Sequence, residues 1–136
     1  MTSVRSASCL CGQVQLTCTG EPIRLSVCHC HDCQRRTGSA FAAQVRWPTD
    51  QVTRTGETGS WKRVADNGNV STLTFCARCG SNVLIAFEGI PDAIGIPLGA
   101  FAGHDGLGFP TPLYSVYEER QHPWVAIVGD NIDHMD

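Results

Sequence analysis

Seven of the eight cysteines sit in three tight clusters, and any fold for this chain must account for them. Cys28-His29-Cys30-His31-Asp32-Cys33 packs three thiols in the pattern C-x-C-x-x-C. Cys9-Leu10-Cys11-Gly12 lies upstream and Cys76-Ala77-Arg78-Cys79-Gly80 far downstream. A pair with a pair supplies four ligands and closes a tetrahedral structural zinc site. A triplet alone leaves the fourth position open, which distinguishes catalytic zinc sites from structural ones.

Disulfides are the competing use of an even number of cysteines. A C-x-C pair is too cramped for an ordinary bridge, whose Cα atoms stand about 4.4–6.8 Å apart. The N-terminus does not lead into an apolar signal-peptide core, so the expected location is the cytoplasm. There thiols stay reduced, and clustered cysteines mean metal or catalysis. The 136 residues suit one domain, residues 1–136 with a core over about 5–130, and 42% apolar against 17% charged residues describes a globular protein. A net charge of −3 offers no basic surface for phosphate backbones, which argues against nucleic acid. No apolar run is long enough to span a membrane.

The first strand follows from alternation. Val14, Leu16 and Cys18 alternate with Gln15 and Thr17, so Cys18 points inward as a small hydrophobe, outside the metal sites. A strand over residues 23–27 delivers the chain to Cys28. Residues 34–38 form a helical turn stopped by Gly38, with Asp32 as candidate N-cap and backbone N–H groups aimed at the thiolates. Further short strands are expected over residues 39–47, 51–55 and 60–64 (the last two across a turn at residues 56–59), 70–75, 83–87 and 93–98. Asp66-Asn67-Gly68-Asn69 is a tight-turn sequence. Residues 99–112, with His104, are rich in glycine and proline and form the longest irregular stretch. Residues 113–117, the charged turn Glu118-Glu119-Arg120 and residues 124–128 close the chain. No helical periodicity is sustained, so the fold class is mostly β, built of short strands.

The Cys9/Cys11 and Cys76/Cys79 pairs are both followed by glycine and both adjoin a strand. A four-thiolate zinc on them would staple the N-terminal strand to the middle of the chain and contribute directly to folding. Spacing leaves two alternatives: one cluster binding alone, or all seven thiols around a shared cluster. Cys28, Cys30 and Cys33 are one ligand short. Either a histidine (His29, His31, His104, His122 or His134) closes the tetrahedron, or the position stays open. Zn²⁺ held by three thiolates is net negative, a poor Lewis acid for a carbonyl and better suited to capturing a substrate thiol. That lowers the thiol pKa from about 8.5 and yields the nucleophile for an electrophilic carbon. Arg35 and Arg36 stand near enough in sequence to offset the charge and contact substrate, or else belong to a solvated face.

Taken together, Cys9-Leu10-Cys11-Gly12, Cys28-His29-Cys30-His31-Asp32-Cys33-Gln34-Arg35 with Thr37-Gly38, and Phe75-Cys76-Ala77-Arg78-Cys79-Gly80 resemble the glutathione-dependent formaldehyde-activating (Gfa-like) family. Tyr117-Glu118-Glu119-Arg120 followed by Trp124 is similar to the family's C-terminal signature. The resemblance implies a zinc-stapled β-tent of short antiparallel strands with two zinc ions per chain. Structural zinc is expected on Cys9, Cys11, Cys76 and Cys79, and a zinc tied to catalysis on Cys28, Cys30 and Cys33. It also implies a carbon–sulfur lyase joining a small thiol such as glutathione to formaldehyde or a related small aldehyde. The second reading is a non-catalytic zinc-binding interaction module of the same fold, with a resemblance to centromere protein V.

Overall fold

A computed structural model describes residues 3–103, 109 and 111–136, which leaves His104 outside the described residues. In chain order it contains β1 (Val4–Ser8), β2 (Gln15–Thr19), β3 (Arg24–Cys28), α1 (His31–Thr37), β4 (Ala42–Pro48), β5 (Val52–Thr55) and β6 (Thr58–Val64). There follow β7 (Val70–Cys76), β8 (Asn82–Phe87), β9 (Ile90–Pro97), β10 (Tyr114–Val116) and β11 (Asp133–His134). The mostly β expectation holds.

The strands form a small sheet, β1-β2-β5, and a large one, β11-β10-β3-β4-β9-β8-β7-β6. Alternation in β2 buries Leu16 and Cys18 and exposes Gln15, Thr17 and Thr19. β3 and β4 do the same with Leu25, Val27, Val45 and Trp47. These inward residues meet between the sheets with Val14, Val83, Leu84, Ile96 and Phe101. Trp47 is fully buried, and its indole N–H donates to Thr19 O at 2.9 Å, fastening the large sheet to the small one. Cys18 lies in this core and its thiol is pushed up to about 11 by burial alone, as suits an inert hydrophobe.

Three expectations need correction. Not every strand is antiparallel: β10 joins β3, and β11 joins β10, in parallel. A parallel partner needs a long crossover, and everything between β3 and β10 supplies it. β5 and β6 do not pair across the intervening glycines, because β5 closes the small sheet and β6 forms an edge of the large one. The helix is capped by Cys30 rather than Asp32: the Cys30 sulfur accepts from Cys33 N at 3.3 Å, while Asp32 turns to an arginine. The closing residues 124–128 are irregular, with Trp124 and Val128 76% and 81% exposed. β1 carries no clear alternation in sequence and was not expected; its register against β2 supplies it.

Candidate metal centres

Both glycine-terminated knuckles fold the same way. Gly12 and Gly80 each take φ +83, which favours glycine. Their N–H groups return to Cys9 O (3.2 Å) and Cys76 O (3.0 Å), turning both thiols of each pair inward. The four sulfurs of Cys9, Cys11, Cys76 and Cys79 then lie within 4.8 Å of one another. Cys9–Cys11 and Cys11–Cys76 are each 3.7 Å apart. Thiolates about 2.3 Å from a central zinc stand roughly 3.8 Å apart at tetrahedral vertices, so the set fits a four-coordinate ion. Val14 N donates to Cys9 Sγ at 3.2 Å; Arg78 N and Cys79 N donate to Cys76 Sγ at 3.3 and 3.4 Å. Such donors stabilise thiolates and orient them.

The titration of these thiols points the same way. The Ser81 hydroxyl, first among several partners, pulls Cys79 down to about 5. The Gln13 backbone N–H pulls Cys11 down, but burial and three neighbouring thiols outweigh it and leave Cys11 at about 11. Adjacent sulfurs do not all ionise together without a cation among them.

The second group is Cys28, Cys30 and Cys33, whose sulfurs also lie within 4.8 Å of one another. Cys28 ends β3, Cys30 caps α1 and Cys33 lies in the first helical turn, so one strand-to-helix junction supplies all three. Cys33 pushes Cys28 up, burial adding to it. Cys33 is drawn down to about 5 by Cys28, against burial, with Cys30 and the Arg36 guanidinium assisting. Among the described residues no histidine nitrogen or carboxylate completes this group. A cation held by these three sulfurs keeps a coordination position open.

The described histidines have other partners. His122 meets Gln34 Oε1 at 2.9 Å, and Gln34 Nε2 donates to His29 O at 2.8 Å, fastening α1 to the C-terminal segment. His134 Nδ1 meets Glu118 at 2.8 Å, and His31 is exposed. His29 is fully buried with Nε2 2.9 Å from Ser115 Oγ. Ser115 in turn hydrogen-bonds Glu118. The carboxylate accepts the hydroxyl proton, so the hydroxyl oxygen accepts from His29 Nε2–H, and Nδ1 is left as a buried lone pair without a partner. His29 is thus a brace between two cysteines rather than a ligand. Its ionisation is pushed down by burial, with Glu118 opposing. Ser115→Ala removes that acceptor and is expected to cost about 1–3 kcal/mol in a urea titration of metal-loaded protein. This brace was not legible in sequence, since Ser115 is 86 residues from His29.

The two arginines that adjoin the triplet part company. Arg35 is 78% exposed and reaches only Asp32, at 3.8 Å. Arg36 hydrogen-bonds Cys33 and donates to Asn82 Oδ1 at 2.8 Å. Arg63, on β6, donates through Nε to Asp32 at 2.8 Å and holds the helix over the large sheet. A cavity of about 830 Å³ opens beyond Arg36, lined by Phe41, Ala42, Asn82, Leu98 and Cys9 among others. Burial of the eight cysteines ranges from full to exposed, and all are free thiols. No helix among the described residues is long and apolar enough to cross a membrane.

A family model described as "Glutathione-dependent formaldehyde-activating enzyme" matches residues 4–120, a span that includes all seven clustered cysteines. The crystal structure of a Rhodobacter sphaeroides protein superposes with a TM-score of 0.57 at 19% identity. The match covers 72% of this chain and 88% of that one and is a likeness of fold. No curated protein sequence matches the chain.

Proposed function

The chain belongs to the glutathione-dependent formaldehyde-activating enzyme family, and from that premise we propose that it is a zinc-dependent carbon–sulfur lyase joining a glutathione-like thiol to a small aldehyde. The observation that carries this reading is the triplet of sulfurs with no fourth protein ligand among the described residues. Cys28, Cys30 and Cys33 would hold one zinc ion, and Cys9, Cys11, Cys76 and Cys79 a second, purely structural one. When bound at the triplet, zinc supplies a position that favours a thiolate over a thiol at neutral pH.

The chain's own groups do the rest. Three sulfurs already concentrate negative charge, and a fourth from substrate adds to it. Arg36, fixed between Cys33 and Asn82, offsets part of that charge, and Arg35, exposed beside Asp32, stands at the mouth of the site as a substrate contact. The His29–Ser115–Glu118 brace keeps the junction from shifting as substrate enters. In the reaction the thiol loses its proton, sulfur forms a bond to the aldehyde carbon, and the C=O π bond becomes a hydroxyl bearing that proton. The product is an S-(hydroxyalkyl) thioether, a hemithioacetal, and the reverse reaction restores both reactants.

Formaldehyde adds to glutathione without a catalyst, so the test measures exchange at equilibrium. Two-dimensional exchange NMR of the adduct is expected to show acceleration proportional to zinc-loaded wild-type protein and none with Cys33→Ser. An unchanged exchange rate with both metal positions filled in wild type would overturn the lyase and leave a zinc-binding module.

A further inference from the structure

Arg24, Ser26 and Cys28 alternate onto one face of β3, and Arg46, Gln44 and Ala42 stand directly opposite them on β4. It is the face turned away from the small sheet, because Leu25, Val45 and Ile96 point the other way into the core. The pairing of Arg46 with Gly95, Gly95 with Ile85, Ile85 with Leu73 and Leu73 with Trp61 carries this face across to β6. Arg63 lies two residues from Trp61 on that face and grips Asp32 of α1. The cysteine triplet and the arginine pair therefore share one surface.

This pair is electrostatically unresolved. Like charges directly opposite in an antiparallel pair destabilise it. Neither guanidinium has an acidic partner among the described residues. Each instead lies over a ring, Arg24 over Tyr114 at 5.1 Å and Arg46 over Phe87 at 4.6 Å. Arg24 Nε and Gln44 Oε1 are both buried without a hydrogen-bond partner, a cost normally relieved by a ligand or water. Gln44 lies across Gly95, where a Cβ would meet its Oε1 at 2.8 Å.

We propose that Arg24 and Arg46 form an anion-binding subsite that holds the carboxylate end of a peptide-like thiol whose sulfur sits at the cysteine triplet. Cys28 lies four residues along the strand from Arg24, about 13 Å along the sheet. The thiol of such a tripeptide stands on its middle residue, so about 5 Å of extended chain lies between it and an end, and the arginine side chains reach back over the difference. The substrate class is therefore an acidic peptide thiol; a small neutral thiol fills only the sulfur position. This subsite rests on the reading that the triplet's metal takes a thiol sulfur.

The test is calorimetric binding to zinc-loaded protein of three probes: glutathione, S-methylglutathione (no free thiol) and 2-mercaptoethanol (no carboxylate). Arg24→Gln and Arg46→Gln are each expected to weaken both glutathione compounds about tenfold, and far more than they weaken 2-mercaptoethanol. Cys30→Ser is expected to abolish 2-mercaptoethanol binding and spare S-methylglutathione. Equal affinity of wild type and both arginine variants for S-methylglutathione, with metal content and circular dichroism intact, would overturn the subsite. Failure of 2-mercaptoethanol to depend on Cys30 would instead overturn the thiol-capture reading, and the arginine dependence of S-methylglutathione would still decide the subsite.

Discussion

Cys76→Ser protein purified without chelator is expected to lack the four-thiol metal and to show no cooperative thermal transition. Cys76 is 1% exposed at the centre of its knuckle and accepts from Arg78 N, Cys79 N and the Gln13 side chain. Serine keeps those donors but offers a hydroxyl in place of a thiolate, leaving three sulfurs around a buried ion. Structural zinc contributes on the order of 10–16 kcal/mol in small domains, whereas a whole domain is stable by roughly 5–15 kcal/mol. Losing most of the first is comparable with the whole of the second. An ion held by this set would tie the hairpin of β1 and β2 to β7, so the failure is expected to spread to the packing of the small sheet. Near-UV circular dichroism during heating, with metal content by mass spectrometry, measures it. A cooperative melt within a few degrees of wild type would show that the two sheets hold each other without the staple.

Cys30→Ser should behave in the opposite manner: metal falls from about two ions per chain to about one, the thermal midpoint moves little, and catalysed adduct exchange disappears. The contrast follows from what each site joins. The triplet closes a loop within residues 28–33, so little chain entropy depends on it. The junction is also held by His29 N to Val116 O at 3.1 Å, by Gln34 and by the Asp32–Arg63 pair. Serine at the N-cap is a good helix cap in its own right. Metal analysis beside a denaturation curve separates the cases. A midpoint that collapses as in Cys76→Ser would mean that the triplet is structural after all.

The clusters were legible because metal geometry requires ligands in short, repeated spacings, and such spacings survive in one dimension. The glycine after each pair announced the two knuckles, and the alternation of Val14, Leu16 and Cys18 announced β2 and the inert thiol. What was illegible is whatever depends on partners remote in sequence. Asp32 is a good N-cap by type, yet Arg63, 31 residues on, draws it away and a cysteine sulfur takes the role. The parallel entry of β10 has no local mark, because register is set by the strand it meets. Arg35 and Arg36 look equivalent in sequence, but the helix turns one to solvent and the other to Cys33. Arg24 and Arg46 looked like ordinary strand charges until β3 and β4 set them face to face.

The two metal groups also differ in when they come into being. All three thiols of the triplet exist once residue 33 has been made, whereas the four-thiol set waits for Cys79. At roughly 5–20 residues per second the interval is about 2–9 s. Through that interval the nascent chain carries an unpaired Cys9/Cys11 hook, and the strands that hold the triplet's junction, β4 and β10, are still being made or yet to come. The four-thiol set is therefore the later of the two to assemble, and a chain stopped before residue 79 has no second pair with which to close it.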